Sequence, residues 1–249
     1  MRRVLQWAAA LALGVALAGG ARAGEVSVAV AANFTEPAKA IAAAFQKATG
    51  HTAALSFGPS GGFYAEITHG APFEVFLSAD DERPKAAEAG GFAVPGSRFT
   101  YVVGRLVLYS RAPGLVDAEG QVLRSTRFEK LAIADPAAAP YGAAAVQTLQ
   151  RMGVYEAVKG RIVQGASIAQ AYQFVSTGAA ELGFVAQSQV IEMQGGSRWL
   201  VPERLHAPIV QDAVLLKPGA KDPAARAFLG FLRGPEARAI IKRYGYDVR

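Results

Sequence analysis

From Val26 onward the hydrophobic pattern switches between a period of two and a helical period, and short runs of small residues carry each switch. Val26-Ser27-Val28-Ala29-Val30 alternates as a strand does. Residues 36–48 then place Ile41, Phe45 and Ala48 at helical spacing, with Pro37 in the first turn and Gly50 behind the last. Residues 52–57 read as a second strand, and Gly58-Pro59-Ser60-Gly61-Gly62 leads into a helix carrying Phe63 and Ile67. Val75-Phe76-Leu77 is a short buried strand, after which Asp80-Asp81-Glu82 opens another helix. This β-α-β-α-β order predicts a parallel sheet and an α/β fold.

Residues 99–103 and 106–109 break the rhythm as one long extended stretch, interrupted only at Gly104-Arg105. A second alternating block follows, with strand 131–134, turn 136–140, helix 142–152, strand 162–163, helix 168–176 and strand 182–185. Another extended segment near residues 208–216 precedes a helical region over 223–243. Two α/β blocks joined by two extended crossings predict two lobes with a cleft between them. The first lobe, residues 24–103 plus 210–249, is discontinuous; the second is 104–209. The two crossings are the expected hinge.

The N-terminus fits export. Arg2 and Arg3 precede an Ala/Leu/Val run that ends near Gly20, and Ala21-Arg22-Ala23 is a small-x-small cleavage signature. The run is too short and too rich in Ala and Gly for a membrane span, so residues 1–23 read as a cleaved signal peptide. Cleavage removes three arginines, and the net charge falls from 26 − 20 = +6 to 23 − 20 = +3. Nucleic acid thereby loses most of its compositional support as a partner. With 51% hydrophobic and 18% charged residues, the chain is not disordered. With no cysteine it has no disulfide, thiolate metal site or N-terminal lipid attachment. The expectation is an unanchored periplasmic protein.

Enzyme chemistry finds little footing. His51, His69 and His206 form no metal-binding spacing and are expected on the surface or in loops. Gly58–Gly62 lacks the lysine of a phosphate-binding loop, and no Gly-x-Gly-x-x-Gly follows the first strand. Gly-x-Ser-x-Gly does place Ser60 between strand and helix, as a nucleophile elbow would, with Asp117 or Asp135 and then His206 downstream. A serine hydrolase is therefore the alternative, weakened because Ser60 follows only the second strand.

Four turns, that of Ser60 among them, share a physical property. Asn33 before Pro37, Ser60 before Phe63, Tyr141-Gly142 after Pro140, and Ser167-Ile168 each stand where a strand yields to a helix. The last carries a capping box, with Gln170 three residues after Ser167. Helix N-termini offer free N–H groups and partial positive charge. Two turns from each lobe can surround a small anion with neutral donors. None carries Asp or Glu at its tip, so no acceptor waits for a protonated oxyanion such as hydrogen phosphate; a fully ionised dianion suits the cradle better.

At these residues the chain resembles the periplasmic molybdate-binding proteins, receptors of ABC importers for molybdate and tungstate. The segments that carry the resemblance are Ala31-Ala32-Asn33-Phe34-Thr35, Ser60-Gly61-Gly62, residues 70–80, Ala139-Pro140-Tyr141-Gly142, residues 178–185 and residues 242–246. The resemblance implies a two-lobed periplasmic-binding-protein fold of the second topology class that clamps the oxyanion between lobes. The resemblance also implies a monomer that works with a membrane permease, is not an enzyme, and needs no cofactor or metal ion beyond molybdenum held as its oxyanion. It further implies four ligand positions: Asn33 through its side-chain amide and N–H, Ser60 through its hydroxyl and N–H, and Tyr141 and Ile168 through backbone N–H groups. Where many members have Ser-Leu-Thr this chain has Asn33-Phe34-Thr35, and Ala186 replaces a family tyrosine. Sulfate remains the alternative oxyanion.

Overall fold

The computed structural model describes residues 23–248; the expected signal segment lies outside them except for Ala23. In chain order the elements begin with β1 Glu25–Ala31, α1 Thr35–Thr49, β2 Thr52–Gly58, α2 Ser60–Thr68, β3 Val75–Leu77, α3 Glu82–Ala89 and β4 Phe99–Gly104. After them come β5 Leu106–Ser110, β6 Leu131–Ala134, α4 Pro140–Arg151, α5 Tyr155–Val158, β7 Ile162–Gly165, α6 Ile168–Thr177 and β8 Leu182–Ala186. The chain continues through α7 Gln187–Val190, β9 Ser197–Leu200, β10 Ile209–Leu215, α8 Pro223–Arg233 and α9 Pro235–Arg243.

These strands make two five-stranded sheets, ordered β2-β1-β3-β10-β4 and β7-β6-β8-β5-β9. In the first, β1 runs parallel to β2 and β3, while β10 is antiparallel to β3 and β4. In the second, β6 runs parallel to β7 and β8, and β5 is antiparallel to β8 and β9. Each sheet is thus a parallel trio extended by antiparallel strands, a mixed α/β architecture. The chain passes from sheet to sheet twice, at Arg105 and through residues 201–208. Gly104 still pairs with Ile209 in the first sheet.

Alternation along β1 explains why helices cover both faces of its sheet. Val26, Val28 and Val30 pack with Phe34, Ile41, Phe45 and Phe228 on one side. Ala29 packs with Phe63, Ile67, Phe76 and Val214 on the other. The second sheet buries Leu106, Leu108, Ile133, Leu149, Phe184 and their neighbours in its own core. Ala31, Ala32 and Ala79 of the first half pack into that second core, so the two halves meet along an apolar seam.

The elements depart from the sequence reading in places. Helix α4 begins at Pro140, which puts Tyr141 in its first turn instead of the preceding loop. Ser60 likewise opens α2. The closing helical region is broken at Gly234, where Pro235 restarts it. Strand β9 and the short helices α5 and α7 carried too little pattern to be read. At the start of α6, Ser167 Oγ accepts from Gln170 N–H at 3.4 Å, as a capping box requires, but Gln170 Oε1 accepts from Ala166 instead of Ser167.

Candidate functional site

The carboxyl ends of all six parallel strands point at the seam, which is where ligands bind in open α/β sheets. Past β1 stands Asn33, past β2 Ser60, past β3 Ala79; past β6 stands Tyr141, past β7 Ile168, past β8 Ser188. A pocket of about 10 Å³ lies between the halves, lined by Asn33, Ser60, Ala79, Ala139, Tyr141 and Ile168 together with the small residues beside them. That is far below the roughly 300–1,000 Å³ of pockets for organic ligands and matches a small ion. All four sequence-predicted positions meet here.

No charged residue lines the pocket. Its positive character comes from helix starts. Ser60 and Ile168 are the first residues of α2 and α6, Tyr141 the second of α4, and Asn33 lies within the single 3₁₀ turn Ala32–Phe34. Such N–H groups have no acceptor in their own helix. Among the described residues none of these four N–H groups bonds to another part of the chain. Ser60 Oγ accepts from the Ala79 N–H at 2.9 Å, which leaves its own O–H free to donate.

Asn33 departs from expectation. Its Nδ2 donates to Gln211 Oε1 at 2.8 Å and to Tyr246 Oη at 2.9 Å, so both amide hydrogens are spent inside the protein. The side-chain amide that the resemblance gave to the ligand therefore serves the scaffold, while the Asn33 backbone N–H finds no partner among the described residues. Behind it lies a buried polar cluster that sequence reasoning missed. Tyr246 Oη and Ser188 Oγ both donate to the Asn33 carbonyl at 2.7 Å, and Gln211 Nε2 donates to Tyr141 Oη at 3.2 Å. Tyr101 Oη donates to the Ser78 carbonyl at 3.2 Å. A β-bulge at Gln211/Asp212 turns these neighbours apart: Gln211 enters this cluster, while Asp212 meets Arg98 and Thr100. Burial raises the pKa of all three tyrosines, Tyr246 to about 12, so the cluster is uncharged. Tyr246 lay in the segment 242–246 singled out by resemblance, but nothing local assigned it a partner.

The hydrolase constellation does not assemble. Ser60 Oγ is engaged by Ala79 and has no histidine partner. His206 lies in a loop, one of its two expected placements, but is buried there; Nδ1 meets the Ala207 carbonyl and Nε2 has no partner. The Asp117 carboxylate accepts from the N–H groups of Glu119, Gln121 and Val122, and Asp135 accepts from Ala137. Each candidate acid closes its own loop.

The sequence profile of the bacterial extracellular solute-binding proteins matches residues 26–247. The chain belongs to that family. It is 61% identical over 239 residues to the molybdate-binding protein ModA of Rhodobacter capsulatus, covering 96% of this chain and 94% of that one. The molybdate-binding protein ModA of Azotobacter vinelandii is 57% identical over 243 residues, with 96% of each covered. Among solved structures, the periplasmic molybdate-binding protein of Azotobacter vinelandii superposes with a TM-score of 0.88, at 43% identity over 90% of this chain and 99% of that one. These relatives are named as binding proteins. No helix of the described residues is long and apolar enough to cross a membrane.

Proposed function

We propose that this solute-binding protein is a periplasmic receptor that captures molybdate, and also tungstate, and hands it to the permease of an ABC importer. One observation carries the reading: a small pocket without charged residues is lined by four residues whose first-turn N–H groups find no partner among the described residues, and by the Ser60 hydroxyl, whose proton is free to donate. Molybdate is a tetrahedral dianion whose oxygens only accept hydrogen bonds. A cradle of donors without a carboxylate or a cation satisfies it. The molybdate-binding names of relatives at 57–61% identity support the same ligand.

In this reading residues 24–103 with 210–249 form one lobe and 104–209 the other. Asn33 and Ser60 hold the anion from the first, Tyr141 and Ile168 from the second. Closure rotates the lobes about Gly104-Arg105 and the return segment 201–208. The chain is exported by a cleaved signal, carries no lipid anchor, and works as a monomer. A useful receptor needs about −8 to −12 kcal/mol of binding free energy. Several charge-assisted hydrogen bonds of about 1.5–3 kcal/mol each supply it.

Calorimetry on residues 24–249 with molybdate, tungstate, sulfate and phosphate tests this. Tight one-to-one binding of the first two, with the others silent, is expected. Tight sulfate binding keeps the receptor and changes its cargo, and silence toward all four overturns the proposal.

A further inference from the structure

Beside the oxyanion pocket the two halves are joined by bonds that need no ligand. The Gly61 N–H, one residue after Ser60, donates to the Ala138 carbonyl across the seam at 2.9 Å. Arg83 Nη2, from α3, donates to the neighbouring Ala137 carbonyl at 2.9 Å. Both acceptors belong to the turn that leads into α4 and presents Tyr141. Arg83 does not reach across freely. Its Nη1 is paired with the Asp80 carboxylate, and its N–H donates to Asp80 Oδ1 at 2.9 Å. Asp80 in turn accepts from Ser78 Oγ at 3.1 Å, within the segment whose Ala79 N–H holds Ser60 Oγ. One patch of the first half thus contains both the ligand hydroxyl and the fork that grips the second half.

We propose that Arg83, oriented by Asp80, is a positioning residue that latches the closed receptor and sets how long the bound oxyanion is held. The proposal rests on the receptor reading above. The geometry fits a latch better than an electrostatic lure. Arg83 spends its charge on Asp80 and its outer nitrogen on a carbonyl, and it does not line the anion pocket. Gly61 completes the device because a side chain there would press on the Ala138 backbone at 3.0 Å and on Arg83 Nη2 at 3.1 Å, where the latch closes.

A latch acts after closure, so its loss speeds release and leaves capture alone. The test measures association and dissociation of isotopically labelled molybdate on Arg83→Met, Asp80→Asn, Gly61→Ala and the unaltered chain, with urea unfolding as a control for folding. Loss of one hydrogen bond predicts a dissociation rate about threefold to tenfold faster in Arg83→Met and Asp80→Asn, with association changed by less than about twofold. Gly61→Ala, which wedges the same contact, gives the same signature.

The sign at Asp80 separates the two roles. If Arg83 acted as a steering charge, Asp80→Asn would unmask it and bind molybdate faster and tighter. That result, slower association in Arg83→Met, or unchanged dissociation in both variants overturns the latch. An unaltered chain that binds no oxyanion overturns the receptor reading and the latch with it, whereas normal binding with unchanged release in the variants removes the latch alone.

Discussion

Replacing Ser60 by alanine separates the two jobs of one oxygen. Ser60 Oγ accepts from the buried Ala79 N–H at 2.9 Å, and its single proton remains to donate into the pocket. Removing the oxygen takes one donor from a charged ligand, worth about 1.5–3 kcal/mol. The dissociation constant for molybdate then rises about 10- to 150-fold. It also orphans the Ala79 N–H, at a cost of about 1–3 kcal/mol that falls on free and bound protein alike and cancels from binding. Calorimetry reads the first effect, and urea unfolding without anion reads the second. Lowered stability with unchanged affinity would make Ser60 a strut for the segment after β3 and nothing more. Unchanged stability as well would refute the hydrogen-bond assignment itself.

Ile168→Ala should divide in the opposite way. Its N–H survives while a buried side chain is lost, so unfolding free energy drops by about 2–5 kcal/mol and affinity moves less than about threefold; a large affinity loss would mean that the side chain shapes the pocket. At Gly104 an added methyl would overlap Tyr141 Oη and Gln211 Nε2. Gly104→Ala should therefore lower molybdate affinity at least about tenfold by wedging the seam, and retention of affinity would show that the cluster yields cheaply. Stability against urea should be flat from pH 7 to 9 and fall as pH rises from 10 toward 12. Folded Tyr101, Tyr141 and Tyr246 keep protons that the unfolded chain releases from about pH 10, each adding a slope of up to about 1.4 kcal/mol per pH unit. Tyr246→Phe should make that alkaline slope shallower; an unaltered slope would show that the hydroxyl is not held in its neutral form.

Much of this protein was legible locally. Period-two runs at Val26–Val30 and residues 131–134, followed by small-residue turns and helical spacing, define strand–turn–helix units because side-chain direction repeats within a few residues. The same locality singled out the candidate anion donors. Ser60 and Ile168 open helices whatever surrounds them, and the free N–H of a first helical turn follows from backbone geometry alone. The sequence therefore determined the strand–helix units and brought forward candidate donors for a small anion.

What the tertiary structure decided lies between residues far apart in the chain. The Asn33 carboxamide looked available to a ligand until Gln211 and Tyr246, 178 and 213 residues away, claimed both of its hydrogens. Ser188 binds the Asn33 carbonyl from 155 residues away, and Arg83 grips a turn 54 residues downstream. His206 became buried and Asp117 closed its own loop, so the hydrolase order written along the chain never became a triad. Periodicity reports which way a side chain faces, not which distant group it meets. A hydroxyl or amide bonds with equal ease to ligand, water or protein, and only the packing of the two sheets settles which partner it finds.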